Sequence, residues 1–316
     1  MSVLPTGRQV EVEVPATSAN LGPGFDCLGL ALDLYNSCSF STVDETSPVA
    51  DGWQVIVSGE GAGRLPTNRR NLIVRSLERG LARLGVETTG VRVEAHNRIP
   101  GSRGLGSSSA AIVTGLIGAH GLARPGEPFD PAEWLPLADE IEGHPDNVAG
   151  ALYGNLVLAY RRLSGDRQVA ATTTTVHPEI RALALIPDTP VGTEQARSLL
   201  PTTVPHTGAA ANAGRAALLV QALTADPRLL FEATADWLHQ SYRSSVMPAS
   251  AQLLRRLRQA ELPAVISGAG PTVLVLGTDD QLAAAQQTST QGFRSMTLNV
   301  AAGARIVDSG PVEVQP

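Results

Sequence analysis

Polar and apolar residues alternate from the start of the chain. In QVEVEVP (9–15), Val10, Val12 and Val14 share one side while Glu11 and Glu13 take the other, a strand period that the proline is expected to end. GWQVIVSG and VRVEAHN carry the same period. In NLIVRSLERGLARLG the period becomes helical: Leu72, Ile73, Leu77, Leu81 and Leu84 recur on one face, and Gly85 stands at a C-cap position. GSSSAAIVTGLIGAHGLA is apolar on most faces, which predicts a buried helix.

Between 161 and 175 the pattern weakens, and a domain boundary is expected there, dividing the chain into 1–165 and 166–316. The second half reads as a strand, RALALIPD, then a short helix, TEQARSLLP. Longer helices follow near 208–223, 228–240 and 249–260. AVISGAGPTVLVLG gives strand, glycine turn, strand, and GFRSMTLNVAAGARIV gives terminal strands. Helices and strands interleave without a strict βαβ rhythm. The expected class is therefore α+β, not a doubly wound parallel sheet.

Composition narrows the function. The 316 residues are 43% hydrophobic with interspersed charge, as in a folded two-domain chain. A net charge of -6 argues against a nucleic-acid surface. No apolar run reaches the ~20 residues of a membrane helix, and the start of the chain shows no signal peptide, so the expected location is the cytoplasm. Cys27 and Cys38 form neither a disulfide framework nor a CxxC pair, and read as two reduced thiols. The 24 basic residues are all arginine, so no lysine-dependent chemistry is available.

That absence sharpens the reading of RIPGSRGLGSSSAA (98–111). It has the glycines and serines of a phosphate loop but no Walker lysine. Glycines let backbone amides approach a phosphate, a helix start adds free N–H groups and a positive dipole end, and serine hydroxyls can reach a hard cation. Taken alone, the stretch is equally a serine-capped turn before a core helix. Three other stretches carry polar groups on glycine-rich turns. PATSANLGPGFDCLGLALDLYN places Asn20 and Asp26 in a loop after a strand. EIEGHPDNVAGALYGN gathers Glu140, Glu142, His144, Asp146 and Asn147. SGAGPTV is a second glycine turn. Each alone also fits a capped turn or a hairpin.

Together the four segments resemble the GHMP kinases in wording, order and spacing over nearly the whole chain. Pro100 to Ala110 is similar to that family's phosphate loop, VPATSANLGPGFDCLGLAL to its first motif and SGAGPTV to its third. SANLGPGFDCLGLALDLYN, EGHPDNVAGALYGNLVLA, TEQARSLLP and LHQSYR are similar to the branch acting on L-homoserine. The chain departs from the usual NVAP…GG wording at Gly150 and Asn155, which implies local turn changes only.

The resemblance implies a ribosomal-S5-domain-2-like N-terminal domain followed by a GHMP-type α+β C-terminal domain. It implies ATP, Mg²⁺ and phosphorylation of the side-chain hydroxyl of L-homoserine on the route to threonine, by a homodimer. The runner-up is another family kinase acting on a carboxylate-bearing alcohol such as mevalonate or shikimate. Carried over residue by residue, the loop from Pro100 through Gly101, Ser102, Arg103, Gly104, Leu105, Gly106, Ser107, Ser108 and Ser109 is expected at the triphosphate. Arg103 is expected to face solvent or touch a phosphate. Ser108 and Glu140 are expected at the metal, with Asn71 near the adenine. Asn20, Asp26, His144, Asn147, Thr193, Arg197, Arg243, Gly268 and Gly270 are expected at the homoserine site. There Arg197 and Arg243 would grip the carboxylate, Asp26 the ammonium, and Asn147 would sit near the reactive hydroxyl.

Overall fold

The computed structural model of the chain describes residues 2–43, 52–88, 90–164, 168–288 and 290–311. In chain order the first half gives β1 (Ser2–Val3), β2 (Arg8–Asn20), β3 (Gly24–Thr42), β4 (Trp53–Gly59), α1 (Leu72–Arg83), β5 (Val86–Glu87), β6 (Val91–Asn97) and α2 (Ser107–Ala123). Then come α3 (Pro131–Glu142), α4 (Pro145–Tyr153), β7 (Leu156–Arg161) and β8 (Val169–Thr174). The second half gives β9 (Arg181–Pro187), α5 (Thr193–Ser198), α6 (His206–Thr224), α7 (Leu230–Ala233), α8 (Pro248–Gln259), β10 (Ala264–Ile266), β11 (Val273–Gly277), α9 (Asp279–Gln287), β12 (Phe293–Leu298) and β13 (Arg305–Pro311).

The alternating valines at the start do form a strand, with Val10, Val12 and Val14 fully buried. It does not end at Pro15. β2 runs on to Asn20, because the pairing with β3 shifts register between Pro15 and Ala16. A proline, which offers no amide to a ladder, is tolerated at such a bulge. The long β3 then serves two neighbours. Its far half pairs with β6 and its near half with β7. The resulting sheet has the order β13-β2-β3-β6-β4, with β7 and β8 branching from β3. Helix α2 lies in the core, buried almost without interruption from Ser109 to Leu122 as its composition predicts.

The second sheet, β10-β11-β9-β12, is antiparallel. Its central strands are apolar on both faces. Ala182, Ala184 and Ile186 join the main core, whereas Leu183 and Leu185 pack with Leu253, Leu257 and Leu282 on the other side. The α+β reading therefore holds. The expected boundary at 165/166 falls between β7 and β8, which pair with each other. The first sheet thus continues to Thr174 and takes back β13 at the end of the chain. The threonine tract that blurs the pattern there is an edge strand, which suits β-branched residues.

The helix expected at 228–240 is also corrected. A 3₁₀ turn at Pro227–Leu229 leads into α7, which stops at Ala233. Thr234 Oγ1 donates back to Leu230 O (2.8 Å), and the Asp236 carboxylate accepts from the amides of Leu238, His239 and Gln240. Short polar side chains that bond nearby backbone compete with helix in this way. Both cysteines are free, and burial raises the Cys27 thiol pKa to about 11. Among the described residues no helix is long and apolar enough to cross a membrane.

Candidate active site

A cleft of about 380 Å³ opens where the two sheets meet. Its anion-binding end is the start of α2. Gly106 caps that helix with φ 70°, a left-handed conformation that glycine takes without a steric penalty. A Cβ at Gly106 would run into the Thr17 hydroxyl. The amides of Ser107, Ser108 and Ser109 come next, in the first turn, where a helix leaves them unpaired and its dipole is positive. Gly101 to Gly104 and Gly106 to Ser109 line the cleft. Pro100 and Leu105 do not, because both are buried behind the loop.

Ser108 Oγ and Ser109 Oγ donate to the Glu142 carboxylate at 3.0 and 2.8 Å. Glu142 lines the cleft, and its side chain is only 8% exposed. The carboxylate expected there, Glu140, is elsewhere. Its side chain is 65% exposed, and it pairs with Arg79 at 2.6 Å outside the cleft. Two residues along a helix turn a side chain by roughly 200°, so one α3 face cannot present both acids to the loop. The helical phase was available in the sequence. Leu135 and Ala138 are buried, and Glu142 continues their face at spacings of seven and four.

The loop is clamped from the second sheet. Arg103, expected in solvent or on a phosphate, donates its Nε to Pro187 O at 2.8 Å and another N–H to Asp188 O. Ser267 Oγ donates to Gly104 O (2.5 Å) and meets Ser18 Oγ at 2.8 Å. Thr272 N also donates to Arg103 O (3.3 Å), so the turn after β10 docks against the phosphate loop backbone to backbone. Gly268 lines the cleft, whereas Gly270 turns toward the Met247 side chain and does not.

At the other end, Arg197 and Asp26 form a two-pronged ion pair at 3.1 and 2.6 Å. This bond to Asp26 raises the pKa of Arg197 above the usual arginine range. Asp26 itself sits just behind the cleft lining, held at φ 56° by its amide's bond to Asn20 Oδ1 (3.0 Å). Arg243 is 1% exposed. Burial first, then the positive charge of Arg197, lowers its pKa to about 10. Both guanidinium groups lie over the Phe25 ring, at 5.6 and 5.4 Å from its centroid. Arg243 Nε is buried with no partner. Two convergent cations, one with a spare buried N–H, suit a small carboxylate.

Asn20, His144, Asn147 and Thr193 also line the cleft. Thr17 Oγ1 donates to Asn147 Oδ1 at 2.8 Å, which leaves the Asn147 Nδ2 hydrogens for the cleft. His144 Nδ1 lies 3.0 Å from Asp146 Oδ1. Burial alone would lower the His144 pKa, but the hydrogen bond and charge of Asp146, with Glu142 beyond, raise it. Asn71 lines the opposite end. Its amide caps α1, accepting from Ile73 N (3.0 Å) and donating one Nδ2 hydrogen to Pro66 O (2.7 Å). Val57, Leu65, Pro66 and Leu72 give that end an apolar wall. Thr17 is a further site residue that the sequence reading did not name, and Asp146, gathered there with its neighbours, had been given no place in the site.

Residues 71–155 match the family description "GHMP kinases N terminal domain", and residues 214–289 match "GHMP kinases C terminal". A homoserine kinase of Corynebacterium urealyticum is 44% identical over 316 residues, covering 99% of this chain and 98% of its own. One from Streptomyces coelicolor is 49% identical, covering 86% of this chain and 85% of its own. The chain belongs to the GHMP kinase family. The crystal structure of homoserine kinase from Cytophaga hutchinsonii superposes on this GHMP kinase with a TM-score of 0.81 at 28% identity, covering 95% of this chain and 97% of that one. Membership makes the chain an ATP-using phosphotransferase with a small-molecule substrate.

Proposed function

We propose that this kinase transfers the γ-phosphoryl group of ATP to the side-chain hydroxyl of L-homoserine, giving O-phospho-L-homoserine for threonine synthesis. One observation carries the reading. The helix-start anion site and two arginines line the same cleft, and one of those arginines is paired with the Asp26 carboxylate behind it. An amino acid brings an ammonium and a carboxylate together. The Asp26–Arg197 pair presents both signs, and each partner keeps bonding capacity beyond the two bonds they share. Arg243 adds a second grip on the carboxylate. Mevalonate or shikimate, having no ammonium, would gain nothing from Asp26. The kinship with homoserine kinases supports the same choice.

The chain's residues perform distinct tasks in this reading. Amides at the start of α2 hold the phosphates. Asn147, fixed by Thr17, donates to the attacking hydroxyl and aims it in line with the γ-phosphorus. An amide is no useful base. Because phosphoryl transfer runs through a loose transition state, the proton leaves late, to a phosphate oxygen. The donor set fits Mg²⁺: Ser108 and Glu142 supply hard oxygens, and one carboxylate with a hydroxyl leaves places for substrate phosphates. When bound there, the ion would neutralise charge building on the β- and γ-oxygens. Glu142 thus takes the role expected of Glu140.

ADP release measured over L-homoserine, L-serine, L-threonine, mevalonate and shikimate tests the assignment. Turnover with homoserine far above the rest is expected. Faster turnover of an acid without an amine would overturn it. A cytoplasmic homodimer is proposed on the family resemblance and is checked by sedimentation and cell fractionation.

A further inference from the structure

Arg243 is a buried cation that makes no ion pair among the described residues. Its NH1 group has two neighbours, His239 Nδ1 at 3.2 Å and Gly268 O at 3.3 Å. Arginine has no acceptor, so His239 Nδ1 must accept. His239 Nε2 lies 2.8 Å from Gly22 O, and a carbonyl cannot donate, so Nε2 must carry the proton. The two contacts together define the neutral Nε2–H tautomer. Burial agrees, since His239 is 0% exposed and desolvation lowers its pKa. Asp236 stands 3.6 Å from Nε2, beyond hydrogen-bond range. Its oxygens hold the turn that carries the histidine.

Each alternative at position 239 would spoil the pocket. A carboxylate would neutralise Arg243, and a permanent cation would repel it. An apolar residue would leave the guanidinium one partner fewer in a buried place. A neutral acceptor aims the cation and leaves its charge free. The same ring lies against Phe25, tilted by 30° with 5.3 Å between centroids, and bonds the Gly22 carbonyl just before Asp26. Asn212 braces this junction, donating to Pro23 O (2.8 Å) and accepting from Trp237 N (3.2 Å).

We propose that His239 is a positioning residue for the amino-acid pocket, aiming Arg243 without cancelling its charge. This rests on the reading of Arg243 as a carboxylate anchor. The test compares His239→Asn, whose amide reaches the place of Nδ1, with His239→Gln, whose amide reaches the place of Nε2. Each is made in the native chain and beside Arg243→Met. A lost hydrogen bond to a charged group predicts that His239→Gln raises KM for L-homoserine by about tenfold or more. His239→Asn keeps most of the affinity that His239→Gln loses, and KM for ATP stays within about twofold of native in both, because neither changes the phosphate loop. Beside Arg243→Met the two variants become equivalent. Equal values in the native background, or a difference persisting beside Arg243→Met, would overturn the proposal. A native KM in Arg243→Met alone would instead overturn the carboxylate reading beneath it.

Discussion

Glu142 and Glu140 differ by two positions and by everything that matters chemically. Glu142 is buried against two loop serines, whereas Glu140 holds an arginine at the surface. Glu142→Gln should lower kcat on the order of 100-fold, the usual loss when a transition-state charge contact goes. Glu140→Gln should leave kcat within about twofold, since exposed ion pairs contribute little. Steady-state rates under saturating substrates check both. His144 makes a pH prediction. Its folded pKa is raised above the ordinary 6.5, chiefly by Asp146 working against burial. A raised histidine stabilises fully below its unfolded pKa and stops doing so as pH climbs through the folded value. The Tm difference between the native chain and His144→Gln should therefore shrink as pH rises from below 6 toward 9. A constant difference would contradict it. At this scale the sequence was legible as far as location for Arg197 and Arg243, which both line the cleft. It was less so where a side chain's direction decides. Asn71 lines the cleft, and its amide also caps α1, which its spacing in the sequence does not show.

At the scale of elements, periodicity carried far. The valines of β2, the buried α2 and the strands β9 and β11 all follow from pattern. What pattern missed were places where a local bond overrides it. β2 passes Pro15 because a bulge accommodates the ring, and the helix after α6 breaks because Thr234 and Asp236 bond their own backbone. That break puts Arg243 at the cleft with His239 buried behind it. The α2 start has its own strict requirement. Gly106→Ala would hold a side chain at φ 70° against Thr17. The left-handed backbone alone costs about 1–2 kcal/mol, and the clash adds to it. A lower Tm together with a raised KM for ATP is the expected outcome, and thermal unfolding with initial rates measures it.

Across the whole molecule, the site exists because two sheets bring two glycine turns into backbone contact. Sequence spacing cannot show that Ser267 reaches Gly104, 163 positions away. Nor does it show β13 returning to pair with β2. Ser267→Ala would leave the half-buried Gly104 carbonyl without this donor, a loss of about 1 kcal/mol, the net worth of an ordinary hydrogen bond. Urea unfolding should show that decrease, along with weaker ATP binding. The central claim is that one cleft aims an amino-acid hydroxyl at a nucleotide held by the start of α2. A crystal structure with L-homoserine, Mg²⁺ and a non-hydrolysable ATP analogue tests it most directly. The account predicts phosphates on the amides of Ser107 to Ser109, the ion on Glu142, the carboxylate on Arg243 and Arg197, and the hydroxyl beside Asn147. An ion on Glu140, or an amino acid bound away from the two arginines, would contradict it.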